Sequence, residues 1–197
     1  MFRHRGAKSI KAPWFNSKKK AKRYSEQKPE KVAEYKAVIA DIPKENIAYV
    51  DETGIDTYLY REYGWSLRGE PLIGLVSGRK YKRTGIVAAM MGKDIYEPLQ
   101  YDGTMNSTLF ETWFETRLLP VLPKNAVIVM DNAAFHRKSK LFPMVEKTGH
   151  RLVFLPPFSP DLNRIEFFWS WLKRFIRKIL PSATSLDDAV CSAFQVC

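Results

Sequence analysis

The chain has 197 residues, of which 45% are hydrophobic and 13% aromatic, and it carries a formal charge of +11. That composition is that of a globular protein, long enough for one domain with a real core. No apolar run approaches the roughly 18 residues of a membrane span, and the basic N-terminus lacks the apolar stretch of a secretion signal.

The charge is concentrated. Residues 1–36 hold twelve Lys or Arg against three Glu, whereas 37–197 hold twenty against eighteen acids. Residues 1–28 read as an irregular basic arm or linker, with Lys18, Lys19, Lys20, Lys22 and Arg23 as candidate DNA contacts. Lysines neutralise phosphates and release counterions, and the nearby Trp14, Phe15 and Tyr24 can stack on bases or simply pack. A solvated linker accounts for the same run.

From Pro29, PEKVAEYKAVIADI places apolar residues at helical spacing, and Pro43 stops it. NIAYVDETG predicts a strand ending at Asp51 and turning at Gly54. YLYREYGWSLRGEP is aromatic and rich in turn residues. RTGIVAAMMG and DIYEPLQYDG, joined by Gly92-Lys93, predict a β-hairpin. Asn106 caps a helix over STLFETWFETRLLPVL. AVIVMD has the continuous apolar character of a strand buried on both faces. A short helix near 139–148 leads to RLVFL, a second buried strand. The large helix that follows is predicted to start with Ser159 as cap and Pro160 at its first position, and to be apolar on nearly every side except for Glu166, Ser170, Lys173, Arg174 and Arg177. A last helix spans about 185–196. Cys191 and Cys197 are too close to the C-terminus for a bridge to staple much, so reduced thiols are expected. A meander followed by alternating α and β implies an α/β fold, a mixed sheet with helices on both faces.

Asp51 and Asp131 both fall at expected strand ends, where α/β sheets gather functional groups. A helix packed across that edge would bring Glu166 to them. Three carboxylates together repel and raise one another's pKa, an arrangement that makes sense around hard divalent cations. His136, five residues after Asp131, could assist with a proton or a phosphate, or be a plain surface histidine.

YVDETG, VMDNAAFH and PPFSPDLNRIEFFWSWLK, with 34 residues between Asp131 and Glu166, together resemble the DDE transposases of the mariner superfamily, in particular the bacterial insertion-sequence branch. The resemblance covers roughly residues 18–196. It implies a ribonuclease H-like catalytic domain over 29–197, with Asp51, Asp131 and Glu166 as catalytic and metal-binding residues. Two Mg²⁺ ions per site are implied, Mn²⁺ substituting, and transposon ends and target DNA as partners, with a second copy of the chain as a candidate partner. It also implies Asn132, His136 and Asn163 as groups behind the carboxylates, and Lys173 and Arg177 as further DNA contacts. The setting implied is the bacterial cytosol and nucleoid. Arg164 stands where the family pattern has proline. Family members generally begin with helix-turn-helix modules, whereas this sequence starts at the linker, so such a module is expected to be absent. The expected function is metal-dependent cleavage and strand transfer of DNA. The alternative is a catalytically silent DNA-binding or dimerisation fragment.

Overall fold

The computed structural model describes residues 24–57, 67, 71, 73 and 83–195. Lys18, Lys19, Lys20, Lys22 and Arg23 lie outside the described residues, as does most of the YGWSLRGEP stretch. The described elements follow the expected order. Helix α1 (Pro29–Ala40) and a 3₁₀ turn precede β1 (Ile47–Asp56), β2 (Arg83–Met91) and β3 (Asp94–Asp102). Helix α2 (Ser107–Trp113) runs on through a π-helical stretch, Phe114–Leu118, into a last turn, α3 (Leu119–Val121). Then come β4 (Val127–Met130), α4 (Lys138–Lys147), β5 (Arg151–Phe154), α5 (Ile165–Ile179) and α6 (Leu186–Phe194). Among the described residues no helix is long and apolar enough to cross a membrane.

One mixed sheet has the order β3-β2-β1-β4-β5. The pairs β1–β2 and β2–β3 are antiparallel, while β1–β4 and β4–β5 are parallel. Alternation along each strand splits the core in two. Ala48, Val50, Val87, Ala89, Ile128 and Met130 pack under α2 and α4 against Phe110, Trp113, Phe114 and Leu141. Ile47, Tyr49, Ile86, Ala88 and Val129 face the other way, onto α5 and α6.

Four expectations are corrected. Strand β1 does not end at Asp51 but continues to Asp56, because Asp51 through Asp56 keep pairing with Ala88 through Arg83 of β2. RLVFL is not a buried strand but the half-buried edge of the sheet. The large helix starts at Ile165, not Pro160: Pro160–Leu162 form a separate 3₁₀ turn, and Asn163 is extended (φ −88°, ψ 106°). Nor is the helix packed on nearly every side. It buries one face, Ile165, Trp169, Leu172 and Ile176, while Phe167 is 75% exposed. Each large apolar side chain on that face contributes roughly 1.5–3 kcal/mol of burial. The seat of α5 on the sheet is therefore strong, and α5 is the element that carries Glu166.

Candidate active site

Period-two alternation decides which way each acid of β1 points. Asp51 continues the series Ile47, Tyr49 and emerges on the α5 face, whereas Glu52 continues Ala48, Val50 and emerges under α2. Parallel pairing of β1 with β4 puts Asp131, the first residue after β4, at the neighbouring strand end. Glu166 sits in the first turn of α5. The three carboxylates line one cleft of about 440 Å³, together with Tyr24, Asn132, Leu155, Phe158 and Asn163. Asp51 and Asp131 also line a second cleft of about 410 Å³ on their other flank, with Glu52, Gly54, Arg83 and Tyr101. The two aspartates thus stand in the wall between two clefts. Gly54 matters to the second one, because a Cβ there would collide with the guanidinium of Arg83.

Asp51 is the most perturbed of the three. Burial, then the negative charges of Glu52 and Glu166, push its carboxyl up to about 8. The indole Nε1–H of Trp169 donates to its Oδ2 at 3.1 Å, fixing the carboxyl from inside the α5 core. Asp131 is more open, with half of its side chain exposed. Burial works against its charge, but hydrogen bonds from His136 and the Ala133 N–H (3.0 Å) hold its carboxyl below the usual range.

His136 is buried and joins the two strands. Its Nδ1 lies 3.1 Å from Asp131 Oδ1, and its Nε2 lies 3.3 Å from Glu52 Oε1. Burial disfavours the imidazolium, yet the bonds to Asp131 and Glu52 outweigh it and push the ring up to about 9. With both ring nitrogens facing carboxylates, the ring donates twice. A bidentate pair between Arg137 and Glu111 of α2 (2.7 and 2.6 Å) anchors the same loop one residue further on.

The other expected residues take definite places. Asn132 Nδ2 donates to Leu155 O at 2.6 Å, tying the end of β4 to the end of β5. Asn163 is buried; its Nδ2 reaches Val50 O at 3.5 Å and its Oδ1 is buried without a hydrogen-bond partner. Lys173 lies half-buried on α5, and burial holds its ammonium below the usual lysine range despite the attraction of Glu166. Arg177 follows one turn later, also half-buried. Glu52 and Trp169 were not singled out from the sequence. Glu52 was legible in principle, since a strand continued past Asp51 turns it toward His136. Trp169 counted there only as an apolar residue.

A divalent cation suits the chemistry of this donor set. The carboxylates offer hard oxygens, and Asp51 bears a repulsion that a cation would relieve. Among the described residues no three His, Cys, Asp or Glu side chains converge as a finished cage. Mg²⁺ does not ask for one, since it usually takes one or two carboxylates and completes its shell with waters and phosphate.

Residues 46–187 match a family model described as DDE superfamily endonuclease. The fold is similar to a Mos1 transposase paired-end complex with left transposon end (TM-score 0.59, 13% identity, 82% of this chain and 53% of that one). It is also similar to a Mos1 strand transfer complex (TM-score 0.59, 13% identity, 93% and 63%) and to a mariner Mos1 paired-end complex with Mg (TM-score 0.59, 13% identity, 92% and 64%). The chain thus spans between about half and under two-thirds of the length of those transposases. Compared by sequence with curated proteins, it finds no match.

Proposed function

Because this chain belongs to the DDE superfamily endonuclease family, we propose that it is the catalytic domain of a transposase, cutting DNA phosphodiesters and joining the ends to target DNA. The observation that carries this reading is the meeting of Asp51, Asp131 and Glu166, from β1, the end of β4 and α5, in one cleft. Bound there, one or two Mg²⁺ ions would supply Lewis acidity, activating a water and stabilising the leaving oxygen. The chain's own part is to hold and orient. Asp51, Asp131 and Glu166 would be the ligands. Trp169 fixes Asp51 from the core, and His136 fixes Asp131 while linking it to Glu52. Asn132 and Asn163 brace the strand ends beneath. Lys173 and Arg177, about two and about three turns after Glu166 on α5, would meet the phosphates. In each step one P–O bond forms and one breaks: water displaces a 3′-oxygen, and the freed 3′-hydroxyl then attacks a target phosphodiester and displaces that strand's 3′-oxygen. Such a chain would act where bacterial DNA is, in the cytosol and nucleoid.

The test is nicking of supercoiled plasmid, which needs no cognate end sequence. The purified chain is expected to relax plasmid in Mg²⁺ or Mn²⁺ and to stop on addition of EDTA, while an Asp131→Asn preparation purified identically stays inactive. Nicking that survives EDTA, or that the variant retains, would overturn the reading. A chain that binds DNA without cutting it in either metal would be the silent fragment instead.

A further inference from the structure

We propose that Tyr24 and Phe158 form a stacking subsite for an unpaired nucleobase beside the catalytic carboxylates. The inference rests on the DNA-cleaving reading and adds to it where the strand must go.

Phe158 is 54% exposed and Tyr24 57%; among the described aromatics only Phe142 and Phe167 are exposed besides them. Their rings lie side by side, centroids 6.4 Å apart and tilted by 41°. Both line the cleft that holds Asp51, Asp131 and Glu166. Phe158 also has φ +56°, a left-handed backbone that a bulky side chain adopts only at a cost. The surroundings enforce it. Pro157 and Pro160 flank the turn, and Gln27 Nε2 donates to Ser159 Oγ at 2.9 Å, with Phe158 O at 3.4 Å and Asp161 Oδ1 at 3.3 Å also in reach. The same glutamine ties the segment carrying Tyr24 to the loop carrying Phe158. Two exposed rings are thus held in fixed relation at the mouth of the acidic cleft.

The cleft has two chemistries. Asp51, Asp131 and Glu166 give its lining an acidic part; Leu155, Pro157, Phe158 and Tyr24 give it an apolar part. A phosphate belongs with cations at the acidic part. What fits the apolar part is a neutral planar group attached to that phosphate, and a nucleobase is one. A base that lays its face on these rings has left the helical stack, so the strand reaching them is unpaired there. Any base has a π-face, so an aromatic platform accepts it without regard to sequence. In the sequence the basic run 18–23 leads directly into Tyr24.

Fluorescence anisotropy of a labelled 20-nucleotide oligo-dT strand tests this, with Ca²⁺ replacing Mg²⁺ and enough salt to screen the basic arm. Phe158→Leu and Tyr24→Leu are each expected to raise the Kd for the single strand roughly 5- to 150-fold, the range of one lost base–aromatic stack. Phe158→Trp, which keeps a ring, should bind as the parent does, and blunt duplex of the same length should bind all variants alike. Unchanged single-strand affinity in the leucine variants would overturn the subsite. So would an equal loss on duplex, or failure of the tryptophan variant to restore binding. Mn²⁺ binding by the parent is independent of these rings, so failure here leaves the carboxylate reading standing. Loss of that metal site with ring-dependent strand binding intact would do the reverse.

Discussion

Asp51→Asn is expected to slow metal-dependent cleavage by about 10³-fold or more, since losing a ligand should exceed the roughly 10²-fold cost of misplacing one by 1 Å. The same change is expected to make the metal-free protein more stable above neutral pH. The carboxyl is pushed up to about 8 by burial and by neighbouring carboxylates. Between about pH 4 and 8 the folded protein therefore holds a proton that the unfolded chain has released, and stability from this group falls as pH rises through that window. His136, pushed up to about 9 by its two carboxylate partners, acts in the same direction: its contribution is full below about pH 6.5 and is lost as pH passes 9. Asparagine keeps the shape and has nothing to ionise. At pH 8.5 its Tm should exceed the parent's by about 3 °C or more, the shift that ~1 kcal/mol gives in a domain of this size. Thermal melts with EDTA across pH 5–9, beside the nicking assay, read both effects. A variant that is less stable at pH 8.5, or that still cleaves, would contradict the account of Asp51.

Trp169 is where core and chemistry share one side chain. It is only 2% exposed in the cluster beneath α5, and its N–H bonds to Asp51. Trp169→Ala is expected to destabilise the fold by about 3–5 kcal/mol, the range for deleting a buried aromatic. That result alone would say nothing about the site. Trp169→Phe separates the roles, because it retains most of the packing and drops only the donor to Asp51. Its cleavage rate is expected to fall about 10–100-fold, as for loss of a group that orients a metal ligand. Urea unfolding should show a far smaller stability loss than in the alanine variant. A phenylalanine variant that cleaves like the parent would show that the indole N–H plays no part.

The sequence made the layered architecture legible because its elements carry strong periodic signals. AVIVMD, the hairpin around Gly92, the helix capped by Asn106 and the last helix stand where they were expected. Boundaries failed where long-range pairing overrode local preference. Asp, Glu and Gly are poor strand formers, yet Asp51–Asp56 extend β1 because β2 runs beside them. Ser159-Pro160-Asp161 has the look of a helix start, but Gln27 takes the Ser159 hydroxyl, no side-chain cap forms, and the helix waits until Ile165. The apolar ring drawn around α5 was a matter of composition, and packing used only one face. Asp51 and Asp131 were legible as candidates because they end apolar runs, and Glu166 because it is the one acid in a helix rich in apolar residues. Around them Trp169, Gln27 and Tyr24 were not, since they act through contacts across 118, 132 and 134 residues of chain, while Glu52 becomes legible once β1 runs on past Asp51.

The central claim is that Asp51, Asp131 and Glu166 work as one metal-binding cluster. Calorimetric titration of the purified chain with Mn²⁺, against Asp131→Asn, tests it most directly and needs no knowledge of the DNA ends. Asp131 is half-exposed and already held in its charged form, so the substitution removes a ligand without emptying the core. Saturable binding by the parent, strengthening as pH rises through about 8 while Asp51 gives up its proton, and lost in the variant, is the predicted result. Equal binding by both proteins, or none by either even with duplex DNA present, would contradict it.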